Sequence, residues 1–143
     1  MTDYRKLERA HKLSSYEVRM PFWMGSTNIR KPFAAWARAS SLSWYQAYNR
    51  AKHDRHNHFL DATLTNAIDA ICGLVAIISA QFIQEDFSQV FTHVIGTADD
   101  YFKPAVGWYF QVHFPDDWPE AEKYQFEWSQ IEDEADPFAK FPF

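Results

Sequence analysis

Apolar residues fill almost every position from 67 to 78 (AIDAICGLVAII), the strongest pattern in the chain. It predicts a helix over about 64–83, opened by Asp61 or Thr63. A helix apolar on all sides is enclosed by neighbouring elements or by a partner chain. Gly73 lies inside it, where glycine costs about 1 kcal/mol against alanine. Close approach of another helix is the expected reason. The uncharged stretch between Asp69 and Glu85 is 15 residues long, against the roughly 20 that a membrane span needs. The pattern therefore predicts a core helix and no membrane.

Upstream, Ser41 or Ser43 is placed to cap a helix over about 44–57. Helical spacing puts Tyr45, Tyr48, Asn49, Lys52, His56 and Phe59 on one side, a mixture of rings and polar groups. Residues 1–13 are polar and read as a short helix or a frayed end. Residues 15–22 alternate loosely and predict a strand. Residues 23–32 read as a loop, and Pro32 opens a short helix over 33–38.

Downstream, Asp86 or Ser88 begins a shorter amphipathic segment ending near Val94. Residues 96–104 read as a loop, and 106–114 and 123–128 as strands that pair in a hairpin joined by 15–22. The tail, 131–143, is acidic and then aromatic. It is expected to lie over the body through Phe138, Phe141 and Phe143. The whole predicts one domain, mainly α with a small β element (α+β). An antiparallel helix pair lies within a helical core at about 33–95, followed by an aromatic, β-like extension at about 104–143.

Composition narrows the class. The chain has 143 residues, 47% hydrophobic and 18% aromatic, enough large rings to fill a small core. Its net charge of −5 argues against tight, sequence-independent nucleic-acid binding over the whole surface and leaves room for a local basic site. The single cysteine, Cys72, forms no internal disulfide and sits in the apolar run, as a core thiol does. With a charged N-terminal segment, this leads to a cytoplasmic expectation.

The basic island is at 44–59 (WYQAYNRAKHDRHNHF), with two Arg, one Lys and three His between Arg50 and His58. Arginine holds phosphate oxygens by paired bonds. An imidazole passes protons near neutral pH. Together they suit RNA cleavage by the ribose 2′-hydroxyl without a metal. The plainer reading is a solvated helix face laced by pairs with Asp54 and Asp61. A metal site is a third reading, from His53, His56, His58, Asp54 and Asp61. It lacks a His-Glu-x-x-His run and a second ligand cluster. His93 and His113 read as isolated.

AYNRAKHDRHNHF followed by LTNAIDAICGLVAII resembles HEPN-type prokaryotic helical proteins, and the Tyr48–Asn49–x–x–Lys52–His53–x–Arg55 run resembles uncharacterised bacterial proteins. The resemblance covers about 44–83. It implies a pair of long antiparallel helices, a homodimer, and a metal-independent RNase of a toxin–antitoxin or defence system with no cofactor. RNA is then the substrate, and an antitoxin-like protein a partner. The family's Arg, intervening residues and His fall on Arg50 and His56, with Ala51 where a polar residue often follows the Arg. On that reading Arg50, His53 and His56 are catalytic, and Asn49, Lys52 and Arg55 bind substrate. The alternative is a non-catalytic protein that dimerises or binds a partner through the same helices.

Overall fold

The computed structural model describes residues 2–83, 87, 100–107, 109–119 and 135. The apolar run forms the longest helix among them, α4 (Leu64–Phe82). Thr63 caps it, its side chain accepting from the Asn66 amide at 3.2 Å. Ile83 closes it in the left-handed conformation. Before α4 come α1 (Thr2–His11), α2 (Ser43–His53) and the one-turn α3 (Arg55–His58).

Four short strands make one sheet: β1 (Glu17–Arg19), β2 (Ile29–Arg30), β3 (Lys103–Val106) and β4 (Phe110–His113). Their order is β2-β1-β4-β3, and each neighbouring pair is antiparallel. Val18 pairs with Val112 at the centre, and both are fully buried. The described residues thus combine helices with a small antiparallel sheet, an α+β arrangement. The core joins Leu13, Tyr16 and Val18 to Phe33, Leu42, Cys72, Ala76, Val112 and Trp118.

Several boundaries differ from the pattern. The loop expected at 23–32 carries β2, which follows β1 back along the sheet. The loop expected up to Pro104 gives way to β3 at Lys103. β4 pairs with β3 and with β1, as the expected link to 15–22 requires. The other expected hairpin arm, 123–128, lies outside the described residues. So do the segment from Ser88 to about Val94 and most of the acidic and aromatic tail.

Neither Ser41 nor Ser43 caps α2. The N-cap is Leu42, without a side-chain bond. Leu42 is buried in the core, so its burial sets where the helix starts. The next residue but one, Trp44, lies over Gly73 of α4, whose added Cβ would come within 3.3 Å of the indole and 3.4 Å of Phe33. Gly73 thus admits the packing of α2 on α4. The Trp44 indole is fixed by donating to the Pro32 carbonyl at 2.9 Å. With Arg50 meeting Asp61 just before α4, the two helices run in opposite directions.

The helix apolar on all sides is covered on one side. Ile68, Cys72, Val75, Ala76, Ser79 and Ala80 are buried, facing the sheet and α1. Leu64, Ile71, Leu74, Ile77 and Phe82 are 70, 47, 57, 42 and 62% exposed. At 19 residues α4 is also long and apolar enough to cross a membrane, contrary to the shorter count from charges. Its buried side is nevertheless the core of this fold, which is what its Cys–Val–Ala–Ala face contacts.

Candidate functional site

The basic segment is an elbow and not one continuous helix. Asp54 ends α2 with φ −140° and ψ 69° and begins α3. Its carboxylate accepts from the Asn57 amide at 3.3 Å and the Asn57 side chain at 2.8 Å. Aspartate favours this capping role because its oxygen satisfies an otherwise orphaned amide. Arg50, Lys52 and His53 then fall in the last turn of α2, where cations oppose the helix dipole. A 3-10 turn, Phe59–Asp61, follows α3 and brings the chain back beneath α2. Asn66 donates to the Asp61 carbonyl at 2.8 Å and fixes that turn to the first turn of α4.

This return path creates a contact eleven residues long in sequence. The Arg50 Nε donates to Asp61 Oδ2 at 2.7 Å. The same oxygen lies 3.3 Å from His58 Nδ1. One carboxylate oxygen therefore gathers a guanidinium and an imidazole, all partly exposed. The bond from Arg50 holds the Asp61 carboxyl below its ordinary range, and the Asn57 bonds do the same for Asp54. Both carboxylates are ionised at neutral pH.

The other expected site residues are placed separately. Asn49 is half-buried in α2, and Lys52 is exposed with its ammonium 5.6 Å from the Tyr48 ring. Arg55 opens α3 with its guanidinium 5.8 Å from the Phe59 ring. His53 closes α2 and His56 lies in α3, both exposed. Among the described residues neither forms an ion pair, and neither joins Arg50 at Asp61. The single helical face expected to carry Lys52, His56 and Phe59 together is broken at Asp54. His58, read in sequence as a metal-ligand candidate, and Asp61, read also as a helix start and as a pairing partner of the basic residues, are the residues the fold brings to Arg50. Their i,i+3 spacing was the available signal.

Among the described residues no group of three or more His, Cys, Asp and Glu is placed to hold a metal. A cavity of about 310 Å³ lies elsewhere, between β2 and the start of α2, lined by Arg30, Lys31, Trp44 and Asp69 among others. Arg30 and Asp69 approach to 3.4 Å there. Cys72 nearby is fully buried, and burial pushes its thiol up to about 12, so it is no nucleophile at neutral pH. His113 is not isolated: it stacks on Tyr101 at 3.6 Å, its Nδ1 lies 2.9 Å from the Tyr101 carbonyl and its Nε2 lies 3.3 Å from Asp116. With both nitrogens engaged and the ring buried, it packs the end of β4. Comparison with family models, curated proteins and solved structures finds no match to this chain.

Proposed function

We propose that the chain is a HEPN-like protein that pairs with a second copy and handles RNA at the elbow between α2 and α4. The observation that carries this reading is the exposed apolar stripe of α4. Leu64, Ile71, Leu74 and Ile77 recur at spacings of three and seven residues on a helix whose opposite side is the core. Leu64, Ile71 and Leu74 keep the seven-residue repeat of a helix pair, with Ile77 beside them, and this supports pairing. An isologous contact needs only one such self-complementary stripe.

The chemistry of the elbow supports RNA as the ligand. Arg50, Lys52 and Arg55 gather cations beside three imidazoles in a chain that is acidic overall. Phosphate oxygens are the natural partners of such a cluster. The activity that suits it is attack of the ribose 2′-hydroxyl on the adjacent phosphate, for which a guanidinium and an imidazole suffice. Cytoplasmic work in a toxin–antitoxin or defence setting follows the same resemblance.

The test is cleavage of total RNA by the purified chain in excess chelator, with Arg50→Ala beside wild type. Cleavage by wild type, reduced at least tenfold in the variant, is expected. Inert wild-type protein, or equal cleavage by both, overturns the nuclease reading. One observation favours a second reading, a non-catalytic module that binds a partner protein. Arg50 is already neutralised by Asp61, and His53 and His56 stand apart from it. A folded chain that leaves RNA intact and pairs, with itself or with a partner protein, unchanged by His56→Ala distinguishes that reading.

A further inference from the structure

Resting on the nuclease reading, we propose that His58 is the proton-transfer group of the elbow and that Asp61 is its positioning residue. Three features of the geometry carry this. The Asp61 carboxylate faces His58 Nδ1 at 3.3 Å. An anionic oxygen at that distance favours the tautomer with the proton on Nδ1, which leaves the Nε2 lone pair directed away, as a general base requires. The same carboxylate oxygen holds Arg50 through Nε alone at 2.7 Å. Both Arg50 Nη groups remain available, since no bond from either occurs among the described residues. One carboxylate oxygen thus contacts both an imidazole and a guanidinium whose Nη groups are open.

Neither His53 nor His56 has an equivalent. No carboxylate orients either ring among the described residues, and both rings are exposed. Preorganisation separates these three histidines more than their exposure does, because a general base works only within hydrogen-bond reach of the proton it takes. The backbone supports the arrangement. The His58 amide donates to the Asp54 carbonyl at 3.0 Å, and the Asp61 carbonyl is tied to Asn66.

In the reaction, the Arg50 Nη groups hold the non-bridging oxygens of the scissile phosphate. His58 Nε2 takes the proton of the 2′-hydroxyl as that oxygen bonds to phosphorus. The bond from phosphorus to the 5′-oxygen breaks, and that oxygen takes a proton from water. The products are a 2′,3′-cyclic phosphate and a 5′-hydroxyl, with no oxidant, reductant or metal involved. The charged groups around His58 are Asp61, Asp54 and, through Asp61, Arg50.

The experiment compares His58→Gln, His56→Gln and Asp61→Asn in single-turnover RNA cleavage, beside nitrogen NMR of the His58 ring in wild type and Asp61→Asn. His58→Gln is expected to lose roughly 100-fold or more in rate, the usual effect of removing a general base, and His56→Gln less than a tenth of that loss. Asp61→Asn lowers the rate, and Asp61→Glu restores part of it. In wild type the ring spectrum shows the proton on Nδ1. A larger loss in His56→Gln than in His58→Gln overturns the inference while leaving the nuclease reading standing. A wild-type His58 ring protonated on Nε2, or one unaltered by Asp61→Asn, overturns the positioning role whatever the activity. Inert wild-type protein removes the nuclease reading and the inference with it.

Discussion

Replacing Leu74 by glutamine separates pairing from folding. Leu74 lies in the middle of the exposed stripe of α4 and is 57% exposed in the single chain. Glutamine has nearly the same helix propensity and a similar length, so α4 keeps its intrinsic stability. Fully burying a leucine is worth about 1.5–3 kcal/mol, and the exposed share of Leu74 accordingly roughly 1–1.5 kcal/mol in each copy. In a two-fold pair the change enters twice, so dimerisation weakens by roughly 2–3 kcal/mol, or about 30- to 150-fold in dissociation constant. The control is the adjacent residue. Val75 is 6% exposed and lies in the core, so Val75→Gln buries a polar amide without a partner and unfolds the chain instead.

Sedimentation velocity over a dilution series reads the dissociation constant, and thermal unfolding followed by circular dichroism reads the fold. Leu74→Gln is expected to shift the first and barely move the second. Identical dissociation curves for wild type and Leu74→Gln refute the assignment of the stripe to a second copy. So does a wild type that is monomeric at every concentration tested.

Three further outcomes follow from the packing. Gly73→Ala gains about 1 kcal/mol of helix propensity but sets a methyl 3.3 Å from the Trp44 ring and 3.4 Å from Phe33. The indole is held by Pro32, so an overpacking cost of about 1–3 kcal/mol prevails, and a urea midpoint above wild type contradicts this. Cys72, with its thiol pushed up to about 12 by burial, reacts with a disulfide reagent at pH 8 only as fast as the chain unfolds; a rapid labelling phase in native protein contradicts it. Burial lowers His11 to about 4 from an ordinary 6.5, so between those values the unfolded chain binds more protons than the native one. Stability is complete above pH 6.5 and falls as pH drops towards 4, by up to roughly 3 kcal/mol. The slope of urea midpoint against pH flattens in His11→Gln; an unchanged slope assigns the acid sensitivity to carboxylates.

The parts of this fold legible in sequence are those whose position is set by their own period. The run AIDAICGLVAII has one reading as a helix, and Thr63 beside it is a cap by chemistry alone. Val18 and its neighbours alternate, and they form a strand. The α2 boundaries were not legible, because distant groups set them. Leu42 starts α2 by sitting in a core assembled from residues across the chain, and no serine is needed. At the other end, Asp54 was counted as one more member of an exposed helical face. The two bonds its carboxylate accepts from Asn57 outweigh the continuity of α2, and the chain turns. Once it turns, Arg50 reaches Asp61, and His56, already about 120° from Arg50 on a regular helix, lies beyond the break in α3. A spacing rule presumes a regular backbone, and here a three-residue cap decides which histidine the arginine meets.

The distribution of residue sizes around α4 leads further than its hydrophobicity. Its buried side is built mostly from small groups, Cys72, Gly73, Ala76, Ser79 and Ala80, because the sheet and the rings of Phe33 and Trp44 press close. Its exposed side carries Leu64, Ile71, Leu74 and Ile77. In a chain that acts alone this places the larger transfer free energies in water and the smaller ones in the core, the reverse of what burial favours. Small residues inside are explained by tight packing, but tight packing gives no reason for branched aliphatics outside at seam spacing. The proposed pairing, in which a second copy covers them, does. On the proposed reading, a copy that covers the stripe, which begins at Leu64 three residues after Asp61, also comes close to the elbow, and pairing and the proposed chemistry of Arg50 and His58 are then linked by position. Weakening the seam at Leu74 should therefore reduce RNA cleavage in step with dimer fraction while leaving the Arg50–Asp61 bond intact, and cleavage independent of protein concentration would separate the two.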